Sequence, residues 1–266
     1  MNATPTAWRT AILAGLIVCV GAPGLAAHAK GKAKVADHGW IDGLWESQWP
    51  GDQLRKPGDP PRPVEVGPAP LKAEHLAKYQ AAQKAIAEAT AAGKPIAGAN
   101  VTECLPEGMP AMMAPGFPME VISTAKQVNL TQEAYSQTRR IYLNRPQMKL
   151  EDAEPQFYGH SVGHWEGNVL VVNTIGVKER VKMRNVPHSP AMRIDERMYP
   201  TGPNTFEDKI TVTDPEYLTA PWTFTYHYKR KPGWDLNEYI CESNQEYADP
   251  KTGAQRLDLD KVFPTK

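Results

Sequence analysis

The sequence lacks an excess of charge of either sign, because 30 Lys and Arg residues balance 30 Asp and Glu residues in a chain of 266. A surface that binds nucleic acid needs clustered basic residues in excess, so we expect no nucleic-acid partner. The mean hydropathy of −0.50 excludes a polytopic membrane protein. Cysteine is also scarce, with three residues and no C-x-x-C pair, which argues against a cysteine-based metal or redox centre.

Proline, in contrast, is abundant, and its 25 residues are roughly twice the usual share. Because proline is poorly tolerated inside helices and central strands, this composition predicts many turns and a long irregular segment. Seven prolines fall within residues 50–70. We therefore expect no regular structure there.

Residues 1–29 have the pattern of a secretory signal peptide. A single charge, Arg9, precedes an apolar stretch, and Ala27-His28-Ala29 forms an A-x-A cleavage site. The apolar stretch is short and is broken by glycine and proline, which argues against a membrane anchor. The sequence thus predicts a periplasmic or secreted protein with no stable membrane insertion after the signal is removed.

Two cysteines, Cys104 and Cys241, remain once the predicted signal peptide is removed. An even pair in an oxidising compartment favours one disulfide over a metal or redox role. The loop of about 137 residues that this disulfide closes would contribute on the order of 4–5 kcal/mol of stability. We expect no bound metal and no cofactor.

The remaining pattern predicts a mainly β fold in a single domain. Residues 30–118 are expected to hold a Trp-rich first strand, the proline-rich segment and one helix over 71–92, all packed on a barrel. Residues 119–266 form short alternating runs bounded by Gly, Pro, Asn or Asp. About 8–10 sequential strands without crossover helices predict an antiparallel meander barrel, although a sandwich stays open.

The predicted strand WTFTYHYKR, over residues 222–230, carries bulky aromatic residues on one face. Its opposite face carries Lys229 and two threonines. The aromatic face should point inward. Tyrosine hydroxyls in a packed core need partners, so a ligand cavity with aromatic walls fits at least as well. We expect a small apolar or aromatic ligand, contacted by Arg140, Tyr142, Trp222, Phe224, Tyr226 and Tyr228.

The most distinctive segment is YGHSVGHWEGNVLVV, over residues 158–172. It resembles uncharacterised exported bacterial proteins with a G-[HD]-S-x-G-x-W-E-G-[DN]-x-L-V-V hairpin, and the resemblance also covers CLPEGMP at 104–110 and YICE at 239–242. That resemblance implies no established activity. Separately, Gly43-Leu44-Trp45 resembles the G-x-W that opens lipocalin-like barrels, which favours a lipocalin-like meander.

An enzyme is the alternative hypothesis, because His160 and His164 share a face of one predicted strand. At ~3.3 Å per residue they lie about 13 Å apart, too far to share one metal ion. Either imidazole can act as an acid or a base. With Glu196 in the same cavity, they would serve a lyase, an isomerase or a hydrolase. Further candidates are His188, Arg197 and Glu242.

Glu196 lies between two apolar residues of its predicted strand, so it should be buried with a partner. Arg140 is the candidate partner. We favour an internal salt bridge over a catalytic carboxylate at this position.

A loop rich in methionine precedes the strands and contains Met109, Met112 and Met113. Such a loop is typical of a segment that caps a core or lines an adaptable pocket. A copper site is disfavoured because no His or Cys stands at a useful spacing in the sequence.

Overall fold

A computed structural model describes residues 38–48, 66–93, 104–114, 116–239, 246–248 and 255–257. All of them fall within the compact unit Ala36–Lys266. The predicted signal peptide at 1–29, together with Cys241 and Glu242, lies outside the described residues. Cys104 is disulfide-bonded, and its pairing with Cys241 stays a prediction.

Nine strands form a closed barrel in sequence order, and the first strand pairs with the ninth. This architecture confirms the predicted mainly β barrel. The strands are β1 Gly43–Gln48, β2 Met119–Ser123, β3 Gln127–Gln132, β4 Gln137–Leu143, β5 His160–Glu166, β6 Val169–Ile175, β7 Arg193–Gly202, β8 Thr205–Thr213 and β9 Trp222–Arg230. A separate two-stranded sheet contains β10 Glu246–Ala248 and β11 Gln255–Leu257.

The barrel departs from a fully antiparallel meander at one pair of strands, because β4 and β5 run parallel. Nine strands cannot alternate in direction all the way around a closed ring, so an odd number of pairs must be parallel. The parallel pairing extends from Ile141 opposite Ser161 to Leu143 opposite Gly163. Residues 144–159 make the crossover that a parallel connection needs.

The helix, α1, spans Ala73–Ala91 and lies on the outside of the barrel, with none of its residues buried. Its half-buried stripe includes Tyr79 and Gln83, whose side chains donate hydrogen bonds to the Arg184 carbonyl at 3.4 and 3.3 Å. Gly93, at φ 62°, follows the helix in the left-handed conformation that commonly ends helices. Among the residues described, no helix is long and apolar enough to span a membrane.

The inner face of β9 follows the predicted alternation. Trp222 is 6% exposed, Phe224 is 4% exposed, and Tyr226 and Tyr228 are each 2% exposed. The four rings are therefore buried inside the barrel.

The methionine-rich loop covers one end of the barrel, as the sequence predicted, with Met109, Met112 and Met113 buried. The Tyr228 hydroxyl donates a hydrogen bond of 2.6 Å to the Met113 carbonyl. Gln132 donates to the Met112 carbonyl at 2.8 Å. Main-chain groups of the loop thus satisfy polar side chains of the interior.

Candidate functional site

A chain of polar side chains crosses the barrel interior, with one member on each of five consecutive strands. Each member is at most 1% exposed. The five residues are Arg139 on β4, Ser161 on β5, Thr174 on β6, Glu196 on β7 and Asp208 on β8. We call this set the interior polar cluster.

The centre of the interior polar cluster is an ion pair between Arg139 and Glu196. Nη1 of Arg139 donates to Oε1 of Glu196 at 2.9 Å, and Nη2 contacts Oε2. The guanidinium also donates to the Ser161 hydroxyl at 3.1 and 3.2 Å and to the Thr174 hydroxyl at 3.0 Å. A buried ion pair requires this arrangement, in which the contact is bidentate and the other N–H groups of the guanidinium also have acceptors.

The prediction that Arg140 is the partner of Glu196 was wrong by one residue. Alternation along β4 places Arg139 inside and leaves Arg140 exposed on the outer face. Arg139 stands opposite Leu130 of β3, which is itself buried, so the two share the inner face. The internal salt bridge that the sequence favoured for Glu196 is therefore present, with a different arginine.

Asp208 adds a second carboxyl group to the cluster. Burial raises the pKa of Asp208 well above its usual range, the neighbouring Glu196 charge raises it further, and Arg139 acts in the opposite direction. Neither oxygen of ionised Asp208 has a hydrogen-bond partner within the described structure. The protonated form can donate to Glu196, so the environment favours a neutral Asp208.

The two histidines of the enzyme hypothesis lie on the outer face of β5, which separates them from Glu196 inside the barrel. Nδ1 of His160 donates a hydrogen bond of 2.8 Å to Oε1 of Gln147, because an amide oxygen can only accept. Burial and the nearby charge of Arg145 lower the pKa of the His160 imidazole. Both effects favour the uncharged imidazole.

His164 belongs to an exposed group at the end of β5. Its Nε2 lies 3.3 Å from Oε1 of Glu166, whose other oxygen accepts from Arg197 at 2.9 Å. Hydrogen bonds from Arg197 and His164 lower the pKa of the Glu166 carboxyl. These contacts are typical of a solvated surface, where ion pairs contribute little stability.

A groove of about 320 Å³ runs along this outer face and is bordered by Arg145, His164, Asn173 and Asp195. Tyr142 lies nearby, with the Arg145 guanidinium 4.7 Å from its ring centre. The structure thus divides the predicted site residues into two sets on opposite faces of the barrel wall. Glu196 and the β9 aromatics lie inside, whereas Arg140, Tyr142, His160 and His164 lie outside.

A second cavity, of about 20 Å³, lies at the end of the barrel, where β8 finishes and β9 begins. The methionine-rich loop and the segment between β6 and β7 form its other walls. We call this cavity the end cleft. Its lining is mainly apolar and includes Met109, Met183, His188, Met192, Leu218 and Trp222.

His188 is the imidazole of the end cleft, and its orientation is fixed. Nδ1 lies 2.9 Å from the Ser189 carbonyl oxygen, which can only accept, so Nδ1 carries a proton. In the neutral ring Nε2 is then an acceptor, and it is buried without a partner in the described part of the chain. Asp214 holds Ser189 in place by accepting from its main-chain nitrogen at 2.6 Å and from its hydroxyl at 2.8 Å.

Sequence reasoning placed His188 among the candidates and indicated that the methionine-rich loop caps a core or lines a pocket, but it did not bring His188 and this loop together. The cleft depends on a segment without strands, in which Arg184 and Asn185 adopt positive φ angles of 52° and 62°. Positive φ is uncommon for residues other than glycine and has no clear signal in this sequence. The methionine content was the one available signal.

No known family model matches the chain, and no curated protein matches it either. The resemblance to exported bacterial proteins therefore stays a prediction.

Proposed function

We propose that this chain is an exported binding protein, and that its ligand is a small, mainly apolar or aromatic molecule held in the end cleft. One observation carries the proposal: among the described residues that line this buried apolar cleft, one acceptor lacks a partner, Nε2 of His188. A few placed polar groups in an apolar cavity are typical of small-molecule sites. The matching ligand is apolar and carries one hydroxyl or N–H donor.

The size of the cleft indicates how such a ligand enters. A volume of about 20 Å³ has room for one water molecule. A larger ligand needs the walls to move, and Met183 and Met192 are residues of the kind that re-pack readily, because methionine is unbranched and flexible. The cleft is thus an adaptable site rather than a preformed one.

Binding is favoured over the enzyme hypothesis because an acid–base mechanism needs its histidine and carboxylate together. His160 and His164 lie outside the barrel wall, and Glu196 lies inside it, bound to Arg139. In the end cleft, the Asp214 carboxylate is already occupied by Ser189. The geometry therefore supports ligand binding best.

The test compares phenol with anisole, which has a similar size but no donor. Calorimetric titration of the full mature protein should show saturable binding of phenol. The preference for phenol should be roughly 2–10-fold, which corresponds to one hydrogen bond worth about 0.5–1.5 kcal/mol. The His188→Leu variant should lose this preference.

His164→Leu is the matched control, because His164 is exposed and lies away from the end cleft. It should keep the preference for phenol. Absence of saturable binding, or an unchanged preference in His188→Leu, would refute the proposed function.

A further inference from the structure

The end cleft also brings together a donor set that is dispersed in the sequence. Met109 belongs to the loop before β2, whereas Met183, His188 and Met192 belong to the segment between β6 and β7. All four are at most 7% exposed. We propose that the end cleft is a copper(I) site, with the thioether sulfurs of the three methionines and Nε2 of His188 as ligands.

The chemistry of the donors selects the ion. Thioether sulfur is a soft ligand that favours Cu(I), and imidazole suits copper as well. Zinc needs thiolate, imidazole or carboxylate ligands and magnesium needs oxygen ligands, and the described residues contain no cluster of three or more His, Cys, Asp or Glu that could hold such an ion. The methionines of the cleft therefore indicate Cu(I) rather than zinc or magnesium.

The orientation of His188 fits a ligand. Metal-binding histidines almost always donate their other ring N–H to a carbonyl or a carboxylate, which fixes the tautomer. His188 does this through Nδ1 and the Ser189 carbonyl, 2.9 Å away, and Asp214 anchors Ser189 in turn. The lone pair of Nε2 is left buried and without a partner in the residues that the structure describes.

Size and charge agree with a single monovalent cation. The cleft volume of about 20 Å³ suits an occupant of atomic size. A water molecule of similar size would need two to four polar partners, whereas thioethers are weak acceptors. Asp214 lines the same cleft, and its carboxylate offsets the positive charge that neutral methionine and histidine ligands leave uncompensated.

This inference goes beyond the proposed function, because it gives the same cleft a second and different occupant. A bound ion and an apolar molecule exclude each other, so copper loading should abolish phenol binding. The two proposals can then be judged apart. Phenol binding without copper binding would overturn the copper site alone, and copper binding without phenol binding would overturn the proposed function alone.

The experiment offers Cu(I) to the full mature protein without oxygen, in competition with the coloured chelator bicinchoninate. We expect the protein to withdraw one equivalent of copper, and X-ray absorption to show mixed sulfur and nitrogen ligation. Met183→Leu and Met192→Leu should each weaken binding at least tenfold. Both changes remove sulfur at nearly constant volume, which protein cores tolerate well.

Met148→Leu is the control, because Met148 is 38% exposed and does not line the cleft. It should bind copper as the wild type does, and circular dichroism should show that all variants are folded. The copper site is overturned if the wild type withdraws no copper, if the Met183→Leu/Met192→Leu double variant binds unchanged, or if Met148→Leu weakens binding equally.

Discussion

Replacing Arg139 with Met removes the positive charge of the interior polar cluster but keeps an unbranched side chain in the same space. The Glu196 carboxylate then stays buried without its partner, which typically costs about 3–5 kcal/mol. Ser161 and Thr174 also lose the guanidinium donors, although their hydroxyls remain 2.8 Å apart and bonded to each other. We therefore expect the free energy of unfolding, measured by urea denaturation at pH 7, to fall by about 3–5 kcal/mol.

A second substitution tests whether the charge left on Glu196 causes the loss. Adding Glu196→Gln to Arg139→Met should recover most of the loss at pH 7, because the amide carries no charge.

Arg140→Met is the matched control, since the neighbouring arginine is exposed on the outer face. Surface changes of this kind usually alter stability by no more than about 0.5 kcal/mol. The reasoning is refuted if Arg139→Met costs no more than Arg140→Met, or if adding Glu196→Gln recovers none of the loss.

Three further predictions concern the interior and the cysteines. Burial raises the pKa of Asp208, so the folded protein holds a proton that the unfolded chain loses above its pKa of about 3.9. The free energy of unfolding of the wild type should therefore fall by up to about 1.4 kcal/mol per pH unit from that point until the folded pKa is reached. Asp208→Asn should flatten this slope when urea denaturation is measured at a series of pH values, and an unchanged slope would contradict the prediction. Phe224→Ala should cost roughly 3–5 kcal/mol, and a loss below about 1 kcal/mol would instead reveal open space beside the ring. Reduction of the purified protein should add two hydrogens to its mass at Cys104 and Cys241, whereas two titratable thiols in the native protein would exclude the disulfide.

Alternation along single strands made much of the barrel predictable. The inner aromatic face of β9 and the buried position of Glu196 both follow from a period of two. The same rule could not decide which of Arg139 and Arg140 points inward, because two successive side chains of a strand point to opposite faces. Their placement depends on the pairing of β4 with β3, where Arg139 stands opposite buried Leu130.

The end cleft could not be predicted from local patterns. Its walls join residues near position 109 to residues between β6 and β7, and no periodicity links the two segments. The separation of His160 and His164 from Glu196 has a simpler cause. Side chains on β5 and β7 can meet only if both point to the same face of the barrel wall, and residue types alone do not reveal which face each strand turns inward.

The parallel seam between β4 and β5 has a consequence for how the ring opens. Three residue pairs join these strands, whereas seven join β5 to β6. The backbone hydrogen bonds between β4 and β5 can therefore break while every β-hairpin of the barrel stays paired. From inside, however, Arg139 reaches across it to Ser161 and Thr174. The rate at which β4 and β5 separate should thus depend on the release of one desolvated guanidinium more than on the short backbone ladder beside it.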